Sequence, residues 1–142
     1  MKYITGYKAL NLPCSLETTG DWHQSTMDWE NIQYSESDNS AFGDFGIELC
    51  TVVPNHLGEE IPIANTLRAI LDIMQTTQLR TLKGFRDDYF CTDIYNEIFF
   101  EKVLMLKNTP NWEEIDKMMI REFNRLWKNY KQNFGKQEKL QK

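Results

Sequence analysis

Apolar residues recur at helical spacing along the second half of the chain and at shorter, looser spacings along the first. From Pro62 onward, Ala64, Leu67, Ile70, Leu71 and Met74 fall three or four positions apart, with Arg68, Asp72 and Gln75 between them. That is the pattern of a helix with one buried stripe, and it predicts that Arg68, Asp72 and Gln75 face outward. Pro62 suits a first helical turn, where its missing N–H leaves no bond unmade. A second helix is predicted from Thr92 to Leu106, with Thr92 as cap and Asp93 in the first turn. Its stripe is Ile94, Tyr95, Ile98, Phe99, Val103 and Leu106, and Phe100 lies off its centre. A third is predicted from Asn111, with Glu114 at capping-box spacing, through Ile115, Met118, Met119, Phe123, Leu126, Trp127 and Tyr130.

The first sixty residues lack this period. "KYITGYKALNL" mixes aromatic and β-branched residues and predicts an N-terminal strand. "SESDNS", residues 35–40, reads as a polar loop. "FGIELCTVVP" predicts a second strand burying Ile47, Leu49 and Val52 or Val53, stopped by Pro54. The prolines and glycine of "PNHLGEEIP", residues 54–62, mark the change from strands to helices. The expected fold is α+β: one domain over residues 1–135, in which a small β-rich N-terminal layer (1–60) packs on a C-terminal three-helix region (61–135). Residues 136–142, beyond Gly135, form a basic tail expected to fray.

Composition adds the class. With 41% hydrophobic and 13% aromatic residues in 142, the chain can bury a core, and disordered chains carry fewer aromatics. No apolar run approaches the roughly 18 residues of a membrane span, and no apolar segment of a signal peptide follows Met1. Cys14, Cys50 and Cys91 are odd in number and far apart, which disfavours a disulfide framework. A soluble cytoplasmic protein is expected. The net charge of -5 is uneven: residues 1–60 hold two lysines against ten acids, and residues 61–142 hold fourteen bases against eleven acids. An acidic half can select a basic partner.

Candidate chemistry concentrates in "GDWHQSTMDW", residues 20–29. Asp21 and His23 two positions apart would share a face of an extended segment with Ser25, as an acid–base pair requires. The preferred alternative is a packed corner, in which Asp21 caps a turn, His23 bonds backbone, and Trp22 and Trp29 pack. A contact surface using Asp21, Trp22, His23 and Trp29 lies between these two. Cys14, His23, Cys50, His56 and Cys91 are zinc-ligand types, but no two stand at half-site spacing, so no metal is expected. No phosphate-binding glycine loop or nucleophile elbow is present, and no cofactor is expected. "FGDFGIE", residues 42–48, predicts a tight turn or bulge with Asp44 at its tip. Arg121, Arg125, Lys128 and Lys131 interleave with Trp127 and Tyr130, but an acidic chain without a DNA-reading motif makes nucleic acid a possible rather than a favoured partner.

The strings "YITGYKALNL", "GDWHQSTMDW", "SAFGDFGIE", "VPNH", "IANTLRAILDIM" and "PNWEEIDKMM" occur in this order over most of the chain. Together they resemble a family of small bacterial proteins encoded beside abortive-infection-type nucleotidyltransferase toxins. The resemblance implies an antitoxin-like partner and carries no catalytic residues. It marks Gly20, Asp21, Trp22, His23, Phe42, Gly43, Asp44 and Gly46 as a shared core. The expected function is therefore that of a non-enzymatic interaction protein binding and neutralising a toxin or nucleic-acid-processing enzyme, through Asp21, Trp22, His23, Trp29 and Asp44. The alternative is a small hydrolase or nucleic-acid-modifying enzyme using Asp21, His23 and Asp44.

Overall fold

A computed structural model describes residues 1–18, 24–76, 79–90 and 92–140, with backbone alone for 137–140. The fold is α+β, with a small N-terminal β layer and a C-terminal helical region. Strand β1 (Lys2–Tyr3) pairs antiparallel with β2 (Ser35–Glu36), and β3 (Ile47–Cys50) pairs antiparallel with β4 (Ile61–Ala64). One parallel bridge joins the two ribbons: the Ile4 amide donates to the Pro62 carbonyl at 3.0 Å, and the Ala64 amide donates to the Ile4 carbonyl at 2.7 Å.

The N-terminal strand is shorter than its composition predicts. After Ile4 the backbone turns at Gly6 (φ +70°) into helix α1 (Gly6–Leu10), which buries Ala9 and Leu10. Pro62 sits in β4, not in a first helical turn. Helix α2 (Thr66–Met74) starts later, capped by Asn65, whose side chain accepts the Arg68 amide at 2.9 Å. "SESDNS" is a short strand running into a 3₁₀ turn, with Ser37 wholly buried.

Helix α3 (Asn96–Leu104) begins four residues after the expected cap, and Tyr95 occupies the cap position. Ile94 and Ile98 are consequently 76% and 42% exposed, while Phe100 is buried beside Phe99 and Val103. The third predicted helix is two. Helix α4 (Trp112–Phe123) and helix α5 (Arg125–Leu140) meet at Asn124, whose φ of +49° and ψ of −117° bend the axis. Its backbone still bonds both ways, to the Ile120 carbonyl and from the Lys128 amide. The break turns Leu126 outward and drives Trp127 wholly into the core. Asn111 stands at the α4 cap position, but its amide donates to the Met74 carbonyl at 2.7 Å instead of capping.

The helices close around aromatic rings. Phe85 precedes a π-helical turn (Arg86–Phe90) that ends on Phe90; the two rings pack edge-on at 5.4 Å, and Phe90 meets Phe99 at 4.8 Å. Phe100 touches Phe123 at 4.9 Å and Trp127 at 5.3 Å. Edge-to-face rings at these separations add to their area burial.

Candidate functional site

Of the residues singled out in "GDWHQSTMDW", Gly20, Asp21, Trp22 and His23 lie outside the described residues, as does Cys91. Trp29 is described, and it is packed: it is buried, its indole N–H donates to the Gln24 carbonyl at 2.8 Å, and the Lys8 ammonium lies 5.9 Å over the ring. Asp28 closes the turn beneath it, accepting the amides of Glu30 and Asn31 and the Asn31 side chain. These bonds hold the Asp28 carboxyl below its usual range, the Asn31 side chain first among them. An open depression of about 520 Å³ runs past Trp29, Asp28, Pro54 and Asn55.

Asp44 stands exposed on its turn, as expected, and accepts the Ser37 hydroxyl at 2.6 Å. The turn does something the pattern did not show. Its carbonyls at Gly43 and Phe45 point inward and accept Nη1 of Arg68 at 2.7 and 2.6 Å. Arg68 was expected on the outer face of its helix and is instead wholly buried. Its Nε donates to Asp72 Oδ1 at 3.0 Å, its Nη2 donates to the Tyr3 hydroxyl at 3.0 Å, and the Tyr3 and Phe42 rings lie 5.0 and 5.6 Å from the guanidinium. A buried guanidinium is costly unless its donors are met, and here Nε and both Nη atoms find acceptors. Gly46 makes the approach possible, because a Cβ there would stand 2.6 Å from the Arg68 Cβ and 2.9 Å from Asn65 Oδ1. Its φ of +74° also favours glycine.

Asp72, also expected outward, is nearly buried and fully engaged. Besides Arg68 it accepts the hydroxyls of Tyr3 and Thr5, each at 2.6 Å. Burial, and then the hydrogen bond to Asp72, push the Tyr3 phenol far above its ordinary pKa, so it stays protonated at neutral pH. The cluster floors an open groove of about 430 Å³ with Tyr3, Thr5, Tyr7, Ser35 and Glu36 among its walls. A carboxylate with three donors and a phenol locked in its neutral form are parts of a structural clamp rather than of acid–base chemistry. The missed signal was the spacing itself: Arg68 and Asp72 are four apart, able to pair along one helix face.

The other candidates are each engaged separately. Cys14 lies near the hydroxyls of Thr18 and Thr66, Cys50 is buried, and His56 bonds Glu59 at 2.8 Å. Among the described residues no group of three or more His, Cys, Asp and Glu side chains could hold a metal. On α5, Trp127 donates to Asp116 at 2.8 Å and Lys131 bonds the same carboxylate at 2.7 Å. The indole expected to alternate with basic residues is therefore core, and only Arg125 and Lys128 of that set stand exposed on α5. No described helix is long and apolar enough to cross a membrane.

The charge along the chain is uneven. Between Lys8 and Arg68 the chain has ten acids and not one lysine or arginine. Glu17, Asp28, Glu30, Asp38, Asp44, Glu59 and Glu60 are exposed. No protein-family model, curated protein or solved structure matches the chain.

Proposed function

We propose that this is a cytoplasmic, non-enzymatic interaction protein, antitoxin-like, which binds and neutralises a toxin or nucleic-acid-processing enzyme. The observation that carries the reading is the stretch from residue 9 to residue 67, which has ten acids and no lysine or arginine and seven of whose carboxylates are exposed. Enzymes that handle nucleotides or RNA line their clefts with lysine and arginine to meet phosphate. A surface of opposite sign competes with that substrate and speeds encounter. The interior supports a binding role as well. The Arg68 clamp fixes the "FGDFG" turn and β1 as one rigid platform, and pre-organised surfaces lose less entropy on association. The resemblance to proteins encoded beside nucleotidyltransferase toxins points to the same class of partner.

Co-expression with a neighbouring nucleotidyltransferase toxin tests the reading. A stable complex on co-purification and rescued growth are expected, and the absence of both removes it. Asp44, the described member of the alternative Asp21/His23/Asp44 set, is held by Ser37, and no described feature favours the hydrolytic reading.

A further inference from the structure

We infer that the outer edge of β3 is a docking site for an extended, basic segment of a partner protein, added as one more strand. The pairing pattern exposes this edge. Pro62 has no N–H, and its carbonyl is taken by Ile4; Ala64 gives its N–H to the other side of Ile4. Pro62 and Ala64 therefore turn their polar groups toward Ile4, so Ile61 and Ile63 turn theirs toward β3. In the register Glu48↔Ile63 and Cys50↔Ile61 are the hydrogen-bonded pairs, and Leu49↔Pro62 is a non-bonded pair. The N–H and C=O of Leu49 consequently face away from the sheet, where no described residue meets them.

The side chains around that edge are as open as its backbone. Leu49 was expected in the core and is 60% exposed, and Val52 and Leu57 of the same hairpin are also exposed. Natural edges are usually blunted by lysine, proline or a covering loop. Strand β3, "IELC", has neither lysine nor proline, and the described loop tied to it acts through Ser15, whose amide and hydroxyl donate to the Glu48 carboxylate. The inference rests on the interaction reading above and gives it a surface.

Charge selects the occupant. Glu59 and Glu60 stand exposed just before β4, the chain between Lys8 and Arg68 has no lysine or arginine, and Lys102, which reaches this region from α3, lies 4.6 Å over the Phe45 ring. Arg68 is committed to the clamp. A second copy of this hairpin would set acid against acid, across a strand of only four residues. An extended segment alternating basic and apolar residues satisfies both features: its backbone pairs with Leu49, its apolar side chains meet Leu49 and Val52, and its cations meet the carboxylates.

A short synthetic peptide of alternating lysine and valine is the probe, with alternating glutamate and valine as control. The lysine peptide is expected to bind and to slow exchange of the Leu49 amide, which is expected to exchange freely in the protein alone. Leu49→Pro removes the outward N–H together with the exposed leucine side chain and is expected to keep the thermal midpoint while weakening binding at least about tenfold, or about 1.4 kcal/mol. Leu49→Lys, which keeps the amide but adds a repelling charge, weakens it as well and serves should the proline variant fail to fold. Equal binding by these variants, no binding of the lysine peptide, or equal binding of the glutamate peptide overturns the inference. So does a dimer in sedimentation with a protected Leu49 amide, which assigns the edge to a second copy. In the toxin assay, rescue by Leu49→Lys equal to the parent overturns the edge while leaving the interaction reading standing. A parent that neither rescues growth nor co-purifies with the toxin removes that reading, and the peptide titration still judges the edge.

Discussion

The Arg68 clamp and the phenylalanine cluster both hold buried groups in place, by opposite physics. In the cluster, Phe85, Phe90, Phe99, Phe100 and Phe123 meet ring to ring, and any apolar group of similar size would satisfy its neighbours in part. In the clamp, a charge wholly out of water is met by two carbonyls, a carboxylate and a phenol drawn from three separate stretches of chain. Dispersion and hydrophobic burial are graded and forgiving of partner; a buried charge is all or nothing. The contrast explains where each region sits. The cluster gathers the helices, and the clamp ties β1 and the "FGDFG" turn to α2.

Single substitutions should cost most in both regions, but pairs should separate them. Arg68→Met takes the countercharge and one of three donors from Asp72 and the donor from two carbonyls, and is expected to cost about 3–5 kcal/mol in urea unfolding. Replacing both partners, Arg68→Met with Asp72→Leu, removes the stranded charge and should recover part of that loss, with the Gly43 and Phe45 carbonyls and the Tyr3 and Thr5 hydroxyls left without these partners. Phe99→Ala is expected to cost about 3–5 kcal/mol as well, and adding Phe90→Ala should deepen the loss rather than relieve it. Recovery in the cluster, or further loss in the clamp, would erase the distinction.

Next in size is Gly46→Ala. Positive φ alone is expected to cost about 1–3 kcal/mol, and the Cβ must also push Arg68 aside. The same alanine at Gly43, whose Cβ position is open, should show the conformational cost without the displacement. The difference between the two midpoints reads how tightly the clamp is packed.

Tyr3→Phe should cost about 1–3 kcal/mol, by leaving Asp72 one donor short and Arg68 one acceptor short. It also gives the clamp a pH signature that the cluster lacks. Because the folded pKa of Tyr3 is raised, the unfolded chain releases its phenolic proton first as pH passes about 10. Between the two pKa values the unfolded state holds fewer protons, so stability falls as pH rises. The contribution is complete below pH about 10 and lost above it. Tyr7, Tyr89 and Tyr130 are raised in the same direction, burial leading in each. The alkaline slope should therefore persist in Tyr3→Phe but become shallower, and unfolding at stepped pH values measures it. The smallest effect expected is a gain: Asn124→Gly relieves the unfavourable backbone at the α4–α5 bend and should stabilise by about 1 kcal/mol.

Much of the α+β order was legible from period and turn chemistry alone. The buried side of α4, with Ile115, Met118, Met119 and Phe123, follows from spacing, and the acid-only stretch is visible at once in the chain. The turn at "FGDFG" and the exposed tip at Asp44 also follow from glycine and a short polar residue. What spacing misjudged was each position where a polar or apolar label stood in for an environment. Arg68 and Asp72 read as outward because charge prefers water, yet acceptors from residues 43 and 45 and from Tyr3 make the interior the better solvent for this guanidinium. Leu49, Ile94 and Ile98 read as inward because they are apolar, yet β3 is an edge and α3 begins late, so nothing described covers them fully. Local pattern sets which segments can form helix or strand, because period and capping act within a few residues. Whether a side chain is inside depends on groups far along the chain, and only tertiary structure brings the Gly43 and Phe45 carbonyls to Arg68 while leaving the edge at Leu49 open.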